Sequence, residues 1–319
     1  MRAVRRARTV GRGAVANTAT PASILGAAQG PRKTRVAAVS IVSNSVLIGL
    51  KVVAGVITGS IAILTEAVHS SIDLVASVIA YFSVRKADEP ADEDHMYGHA
   101  KVENMAAAIE GMLILVGAGV IVYESVRRLA VGAEIDAIFL GIAVIGLSAV
   151  TNGFVSTYLY RQARRTDSPA LEGDAAHLRT DALTSVGVLV GLLLVEVTGV
   201  VELDSLTALV VAVAIIFAGV RILERSSRVL VDETLPAAEL EAIRAAIEGH
   251  DAGELIGFHK LRARRAGSRR YIDLHVQFRP GTTLERAHEV SHELQAEIST
   301  RVRGADVLIH LEPGGNAIG

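Results

Sequence analysis

The sequence predicts an all-α membrane bundle of six helices followed by a small soluble α+β domain. Half of the 319 residues are hydrophobic and the mean hydropathy is +0.41, values too apolar for an ordinary soluble chain of this length. From Val36 onward, apolar stretches of about 20 or more residues recur, which is the length that a helix needs to cross a membrane. After Asp232 the pattern becomes typical of a soluble domain.

The net charge and the absence of certain residues and motifs reduce the number of possible functions and metal ligands. A net charge of -2 gives no indication of a nucleic-acid partner, and the absence of a glycine-rich phosphate-binding loop leaves nucleotide-driven transport unsupported. The chain has no cysteine, so its ten histidines and its carboxylates are the expected metal ligands.

Residues 1–34 are predicted to form a disordered N-terminal tail. The stretch is rich in Arg, Gly, Ala and Thr, contains no acidic residue and has no sustained apolar periodicity. Its composition leaves an organelle transit peptide open as an alternative, although the apolar core of a secretory signal is missing.

The membrane domain is predicted to occupy residues 35–228. Its six spans lie near 36–58, 61–84, 104–127, 136–160, 177–199 and 204–223. The loops after the first, third and fifth spans hold almost no Lys or Arg, so the positive-inside rule predicts that both termini are cytoplasmic in a multi-pass protein of the cell membrane. Arg127 and Arg128 depart from this rule and are expected to snorkel or to pair with Glu124.

Residues 229–315 are predicted to form the soluble domain, in the order helix, strand, strand, helix, strand. The first helix is expected near 237–248. Apolar and polar residues alternate over Tyr271–Phe278 and again over 307–312, the pattern of a half-buried strand, and the apolar residues between 283 and 302 have helical spacing.

Two similar polar pairs interrupt the predicted spans. His69 and Asp73 are four residues apart, as are His177 and Asp181, so each pair projects from one helical face. Ionisable side chains are costly in a membrane, and two nitrogens with two oxygens suit tetrahedral zinc. Asp174 lies one turn before His177 and is interpreted as a residue that hydrogen-bonds to a metal ligand, or as a charge on the path by which the ion enters.

The alternative is that these residues are buried hydrogen-bonding groups that hold helices together. Recurrence of the pair in two separate spans favours metal ligation. Other polar residues in the spans, Asn44, Lys51 and Asn152, are interpreted as packing or water-lining groups.

Four segments resemble the cation diffusion facilitator family, in particular its bacterial ferrous-iron and zinc efflux type. They are AVHSSIDLVAS at 67–77, PADEDHMYGHAKVE at 90–103, DAAHLRTDALTS at 174–185 and GADVLIHLEP at 304–313. The resemblance extends from Val36 to Pro313. It implies a homodimer in a lipid membrane, a cytoplasmic ferredoxin-like domain, and exchange of zinc or a related divalent ion for protons.

The resemblance also assigns residues to sites. It matches the transport site to His69, Asp73, His177 and Asp181, and a histidine at the first position resembles the zinc-selective members. A second site in the loop after the second span corresponds to Asp92, His95 and His99, for which a solvated acidic loop is the alternative. A binuclear cytoplasmic site, with zinc as its regulatory ion, corresponds to His259, His275, His288, His310 and Glu312.

Some positions depart from the family pattern or can be explained without a family role. The family has Asp where this chain has Glu312, which leaves the bridging geometry open. Lys101 and Asp232 match a charged pair that links the third and sixth helices in some relatives, but they can equally be unrelated charges. His250 and His292 match no family ligand and are interpreted as surface residues.

These observations predict zinc efflux by proton-coupled antiport with alternating access, and no enzyme activity. Iron, cadmium and manganese remain alternative ions. A membrane metal sensor or scaffold that does not transport is a second class. A membrane metallohydrolase is a third, although two His and two Asp leave no evident open coordination position or general base.

Overall fold

The computed structural model describes residues 30–58, 61–131, 139–200, 202–250 and 253–315. Six long helices precede a smaller domain of two helices and three strands in these ranges. The long helices are α1 (Gly30–Thr58), α2 (Ile61–Ala87), α3 (Lys101–Val131), α4 (Phe139–Thr166), α5 (Pro169–Thr198) and α6 (Glu202–Leu230). At a rise of 1.5 Å per residue, each is longer than the roughly 30 Å hydrocarbon layer.

The helices have the surface of a membrane bundle. By length and composition, four segments of the described chain can cross a membrane: Arg32–Ile57, Lys101–Ala130, Pro169–Thr198 and Glu202–Leu230. Helices α2 and α4 have 27 and 28 residues and are likewise long enough to cross a membrane. Large apolar side chains point outward, with Phe154 75% and Phe217 73% exposed, which suits contact with lipid.

Helix α5 lies at the centre of the bundle. It packs along α4 and also contacts α2, α3 and α6, while α3 packs along α6 and α1 along α2. Glycines allow these close approaches, because a Cβ at Gly219 would lie 3.0 Å from the Leu115 side chain, and one at Gly173 would overlap the Glu110 carboxylate. The central position of α5 brings its polar residues next to those of α2.

The arginines that depart from the charge rule are paired. Glu124 accepts hydrogen bonds from Arg127 at 2.9 Å and from Arg128 at 3.1 Å, and Arg128 also lies 3.7 Å from Asp204. The expected pairing with Glu124 is therefore confirmed.

The N-terminal boundary of the bundle differs from the prediction. Helix α1 begins at Gly30, so residues 30–34 are helical and do not belong to the tail, whose remaining residues 1–29 lie outside the described ranges. The reason is a tertiary contact: the Lys33 side chain is 2% exposed, and its Nζ lies 2.9 Å from Glu103 Oε1 and 3.8 Å from Asp88 Oδ1. Helix α6 continues to Leu230, seven residues beyond the predicted end of the sixth span at 223 and slightly beyond the predicted domain boundary at 228.

The C-terminal domain has the predicted order of elements. It comprises α7 (Ala237–Glu248), β1 (Leu255–Ala266), β2 (Arg269–Phe278), α8 (Leu284–Arg301) and β3 (Ala305–Pro313). Strand β2 lies in the middle of the sheet, antiparallel to β1 and parallel to β3. Its apolar side chains, including Ile272, Leu274 and Val276, form a core with Val290 and Leu294 of α8. The polar side chains of β2 point to the opposite face of the sheet, away from this core, where they can bind ligands.

Candidate metal sites

Three polar side chains converge inside the helical bundle. Asp73 of α2 is 8% exposed and His177 of α5 is 6% exposed. His177 Nε2 lies 3.3 Å from Asp73 Oδ1 and 3.9 Å from Asp181 Oδ2. One ligand atom from each of the three lies within 4.8 Å of the others. His69 also belongs to α2, but its side chain lies outside the described part of the structure.

The local structure of α5 fixes this cluster. Ser168 caps the helix by accepting a hydrogen bond from the Leu171 amide, and Pro169 occupies the first turn. The helix therefore starts before the predicted span at 177–199, and His177 and Asp181 stand one turn apart within it. We call Asp73, His177 and Asp181 the membrane cluster.

Asp174 forms hydrogen bonds with two serines and not with the predicted metal ligand His177. Its Oδ1 accepts hydrogen bonds from Ser40 and Ser77, each at 3.0 Å, and the residue is fully buried. His177 Nδ1 has no hydrogen-bond partner among the described residues. Asp174 therefore ties α5 to α1 and α2, and it does not orient the His177 ring by a hydrogen bond.

A second cluster lies in the loop between α2 and α3. Asp92 Oδ1 lies 3.1 Å from His95 Nδ1, and Asp92 Oδ2 lies 3.1 Å from His99 Nε2. The two imidazole rings are 4.6 Å apart, and they are brought together by a turn at Gly98, whose φ of 78° is left-handed. Partial burial opposes ionisation, but hydrogen bonds from the His95 backbone and side chain lower the pKa of Asp92.

A third cluster, which we call the sheet cluster, consists of His259, His275 and Glu312 on the polar face of the sheet. His259 and His275 are register partners on β1 and β2, and Glu312 lies on β3. The Glu312 carboxylate lies 2.6 Å from His275 Nδ1 and 2.7 Å from His259 Nε2. Hydrogen bonds from His275 and then His259 lower the pKa of Glu312 to about 2.

The two remaining predicted cytoplasmic ligands have different positions. His310 lies beside His275, with ring centres 4.6 Å apart and the ring planes tilted by 49°, and its Nε2 lies 3.8 Å from Glu312 Oε1. His288 is not in the sheet cluster of the described chain; it lies on α8, where its Nε2 is 3.1 Å from His292 Nε2.

The predicted charged pair is in contact. Lys101 Nζ at the start of α3 lies 2.8 Å from Asp232 Oδ1, just after α6, and also donates to the Leu230 carbonyl. Arg264 of β1 lies 3.1 Å from the same Asp232 oxygen. Asp232 thus links the start of α3 and the end of α6 to the C-terminal domain.

One buried carboxylate was missed by the sequence reasoning. Glu110 on α3 is fully buried, and neither of its carboxylate oxygens has a hydrogen-bond partner among the described residues. An acidic residue in the middle of an apolar span is the signal that would have found it, as it found Asp73 and Asp181.

Ligand clusters inside a helical membrane bundle and in an attached soluble domain are typical of a multi-pass transporter of metal cations. Comparison with known proteins agrees with this class. Residues 37–231 match the family model of the cation efflux transmembrane domain, and residues 235–314 match that of the cytoplasmic domain of cation efflux proteins.

Similar proteins extend over most of the chain. The uncharacterised transporter sll1263 of Synechocystis sp. is 37% identical over 278 residues, covering 87% of this chain and 89% of the relative. The cation-efflux pump FieF of Yersinia pestis is 32% identical over 269 residues, covering 84% and 89%. The metal-bound C-terminal domain of the CzcD transporter from Thermotoga maritima is 26% identical and covers 26% of this chain and 99% of that chain, with a TM-score of 0.24.

The chain therefore belongs to the cation diffusion facilitator family. It is a cation efflux transporter, with a transmembrane domain followed by a domain that matches the cytoplasmic domain of cation efflux proteins.

Proposed function

We propose that the protein exports zinc from the cytoplasm in exchange for protons. The observation that carries the proposal is the convergence of Asp73, His177 and Asp181 within 4.8 Å of one another inside the bundle. Nitrogen and oxygen ligands of a tetrahedral zinc ion, at about 2.0–2.2 Å from the metal, lie roughly 3.3–3.6 Å apart. A small closing movement of the cluster is enough to hold the ion.

The fourth ligand in this proposal is His69. It stands four residues before Asp73 on α2, so its position on the helix is one turn away on the same face. Two imidazoles and two carboxylates favour zinc over manganese or magnesium, which prefer oxygen ligands. This ligand set ranks zinc first, with cadmium, iron and manganese behind it.

Proton exchange follows from the chemistry of the same ligands. A metal ion needs the lone pairs of neutral imidazoles and ionised carboxylates, so protons and zinc compete for one site. In an alternating-access cycle, the site loads zinc when it faces the cytoplasm and accepts protons when it faces the opposite side. Both termini are cytoplasmic in this proposal, as the distribution of basic residues favours.

The sheet cluster and the loop cluster are proposed as secondary zinc sites. The loop cluster combines two imidazoles with one carboxylate, and the sheet cluster does the same. We propose that the sheet cluster binds zinc in a homodimer, with His310 and His288 as further ligands. In this proposal, zinc binding at the sheet cluster regulates the membrane domain in response to the cytosolic zinc concentration. Replacing His275 and His310 together should then change the zinc concentration at which flux is half-maximal.

Proteoliposomes test the central proposal. The protein is reconstituted with an internal zinc dye, and uptake of zinc, cadmium, manganese and iron is compared with and without a pH gradient. Zinc flux that accelerates with an opposing proton gradient is expected. Zinc flux without any response to the gradient would remove proton exchange, preferred manganese flux would remove zinc, and binding with no flux of any ion would favour a sensor or scaffold.

A further inference from the structure

A basic cavity lies where the helical bundle meets the C-terminal domain. Its walls come from α3, α5 and α6 of the bundle and from β1, and its volume is about 90 Å³. Three arginines line it, Arg221 and Arg225 of α6 and Arg265 of β1. Among the described residues, Glu172 of α5 is the only carboxylate in its lining. The cavity therefore has an excess of positive charge, which favours an anionic ligand.

The single carboxylate of the cavity is already paired. Glu172 Oε1 lies 2.5 Å from Arg225 Nη1, so these two charges compensate each other. Arg221 is exposed and forms no hydrogen bond or ion pair with any residue that the structure describes. Its guanidinium is therefore available to a ligand.

Arg265 lies deeper in the cavity and has no carboxylate partner either. Its Nε donates to the Gly267 carbonyl at 2.8 Å, and its Nη2 donates to the Asp167 carbonyl at 3.3 Å. Burial and the positive charge of Arg270, and also that of Arg225, lower the pKa of Arg265. The Asp167 carboxylate opposes this shift but forms its ion pair with Arg270, at 3.1 Å. Arginine stays charged at neutral pH, so an anion in the cavity would relieve this repulsion.

The position of the cavity indicates which anion. Arg221 lies about 28 Å along α6 from Glu202, at a rise of 1.5 Å per residue, and the hydrocarbon layer is about 30 Å thick. The cavity is therefore at the depth of the lipid headgroups. Its lining also includes Ala107, Ile222 and Val229, apolar side chains that suit the glycerol and the first methylenes of a lipid.

We propose that this cavity binds the phosphate group of an anionic phospholipid, held by Arg221 of the bundle and Arg265 of the C-terminal domain. Guanidinium groups bind phosphate oxygens through paired hydrogen bonds, and basic pockets between membrane helices bind lipid headgroups. A lipid in this position connects α6 to β1 and stabilises the junction of the two domains. Free phosphate has the same chemistry, but the depth and the apolar lining of the cavity favour a lipid.

The ordinary role of arginines at a helix end, general attraction to the membrane surface, does not explain the arrangement. That role requires only exposed charges on the bundle. Arg265 belongs to the soluble domain, is only partly exposed and lines the same cavity as Arg221. The proposal is additional to the proposed transport function and does not depend on which ion is transported.

Native mass spectrometry of the full-length protein tests the site. Protein depleted of lipid in detergent is titrated with phosphatidylglycerol, or with phosphatidylcholine, which has a phosphate but no net charge. Wild type should bind one equivalent of phosphatidylglycerol more tightly than any equivalent of phosphatidylcholine. Arg221→Gln should weaken that equivalent about tenfold, because a charged hydrogen-bond donor is lost. Arg265→Gln should weaken it by a similar factor.

The matched control is Arg161→Gln. Arg161 is an exposed arginine near the end of α4 that does not line the cavity, so its variant should bind phosphatidylglycerol like wild type. Inorganic phosphate at millimolar concentration should not displace the lipid.

Three results would overturn the proposal. Unchanged affinity for phosphatidylglycerol in both Arg221→Gln and Arg265→Gln would show that the cavity is not the site. Equally tight phosphatidylcholine would remove the requirement for an anionic lipid, and displacement of the lipid by inorganic phosphate would assign a site for free phosphate instead. The titrations contain no zinc and no gradient, so a failure of the proposed transport function would be seen separately in the flux assay.

Discussion

The membrane cluster and the sheet cluster use the same ligand types in two different environments. In the membrane cluster, the carboxylates lie 3.3 and 3.9 Å from His177 Nε2, and Asp73 and His177 are almost fully buried. In the sheet cluster, Glu312 lies 2.6 and 2.7 Å from its two histidines, and all three side chains are partly exposed. Without metal, the sheet cluster is closed by its own hydrogen bonds, whereas the membrane cluster is wider.

The two clusters also differ in charge, because the membrane cluster has more carboxylates than the sheet cluster. The membrane cluster has two carboxylates and one described histidine, and the sheet cluster has one carboxylate and two histidines. Unbalanced negative charge is costly away from water, so a divalent cation compensates more in the membrane cluster than in the sheet cluster. The comparison therefore predicts that losing a carboxylate has its largest consequence in the membrane.

The largest effect is expected for Asp73→Asn. The amide keeps the shape of the side chain but removes the charge and weakens one ligand. Replacing even outer-shell partners of a metal costs about 10–100-fold in affinity or activity, so zinc flux should fall by more than about 100-fold. Initial rates in proteoliposomes measure this loss.

The control for Asp73→Asn is Glu196→Gln. Glu196 also lies in a membrane helix, α5, but it is exposed and belongs to none of the clusters, so its variant should transport like wild type. Normal flux in Asp73→Asn, with the protein correctly inserted, would show that the membrane cluster is not the transport site.

A smaller effect is expected for Glu312→Gln in the sheet cluster. One zinc equivalent in the cytoplasmic domain should bind at least about tenfold more weakly, because the variant removes the only carboxylate of that cluster. Flux at saturating zinc should be retained, since the membrane cluster is unchanged. Calorimetry and flux on the same preparation separate the two effects, and equal losses in both would contradict the division of roles.

The sequence was sufficient to predict the features that depend on local sequence patterns. Polar pairs within apolar spans identified Asp73, His177 and Asp181, and the period of two identified strand β2 and its polar face. Both signals depend only on neighbouring residues and on the cost of burying polar groups.

Features that depend on distant partners could not be predicted. The burial of Lys33 requires Glu103, 70 residues further along the chain, so the composition of the segment indicated only a tail.

A pH dependence should distinguish the clusters further. His275 and His259 lower the pKa of Glu312 from 4.5 to about 2, so in the metal-free protein the carboxylate stabilises the folded state fully above about pH 4.5. That contribution is lost as the pH falls from 4.5 towards 2. The difference in thermal unfolding temperature between wild type and Glu312→Gln, measured with a chelator present, should shrink over this range. A difference that grows on acidification would contradict the assigned hydrogen bonds.

The smallest effect is expected at the contact between Lys101 and Asp232. Their side chains are 36% and 49% exposed, and exposed ion pairs contribute roughly 0–1 kcal/mol because water and salt screen them. A double-mutant cycle with Lys101→Met and Asp232→Asn should therefore give a coupling energy below about 1 kcal/mol in the free energy of unfolding, and less at high salt. Asp232→Asn alone should cost more than Lys101→Met, because Asp232 also contacts Arg264 of the C-terminal domain. A coupling energy well above this limit would mean that the pair is shielded from water in solution, as expected if a second subunit covers it.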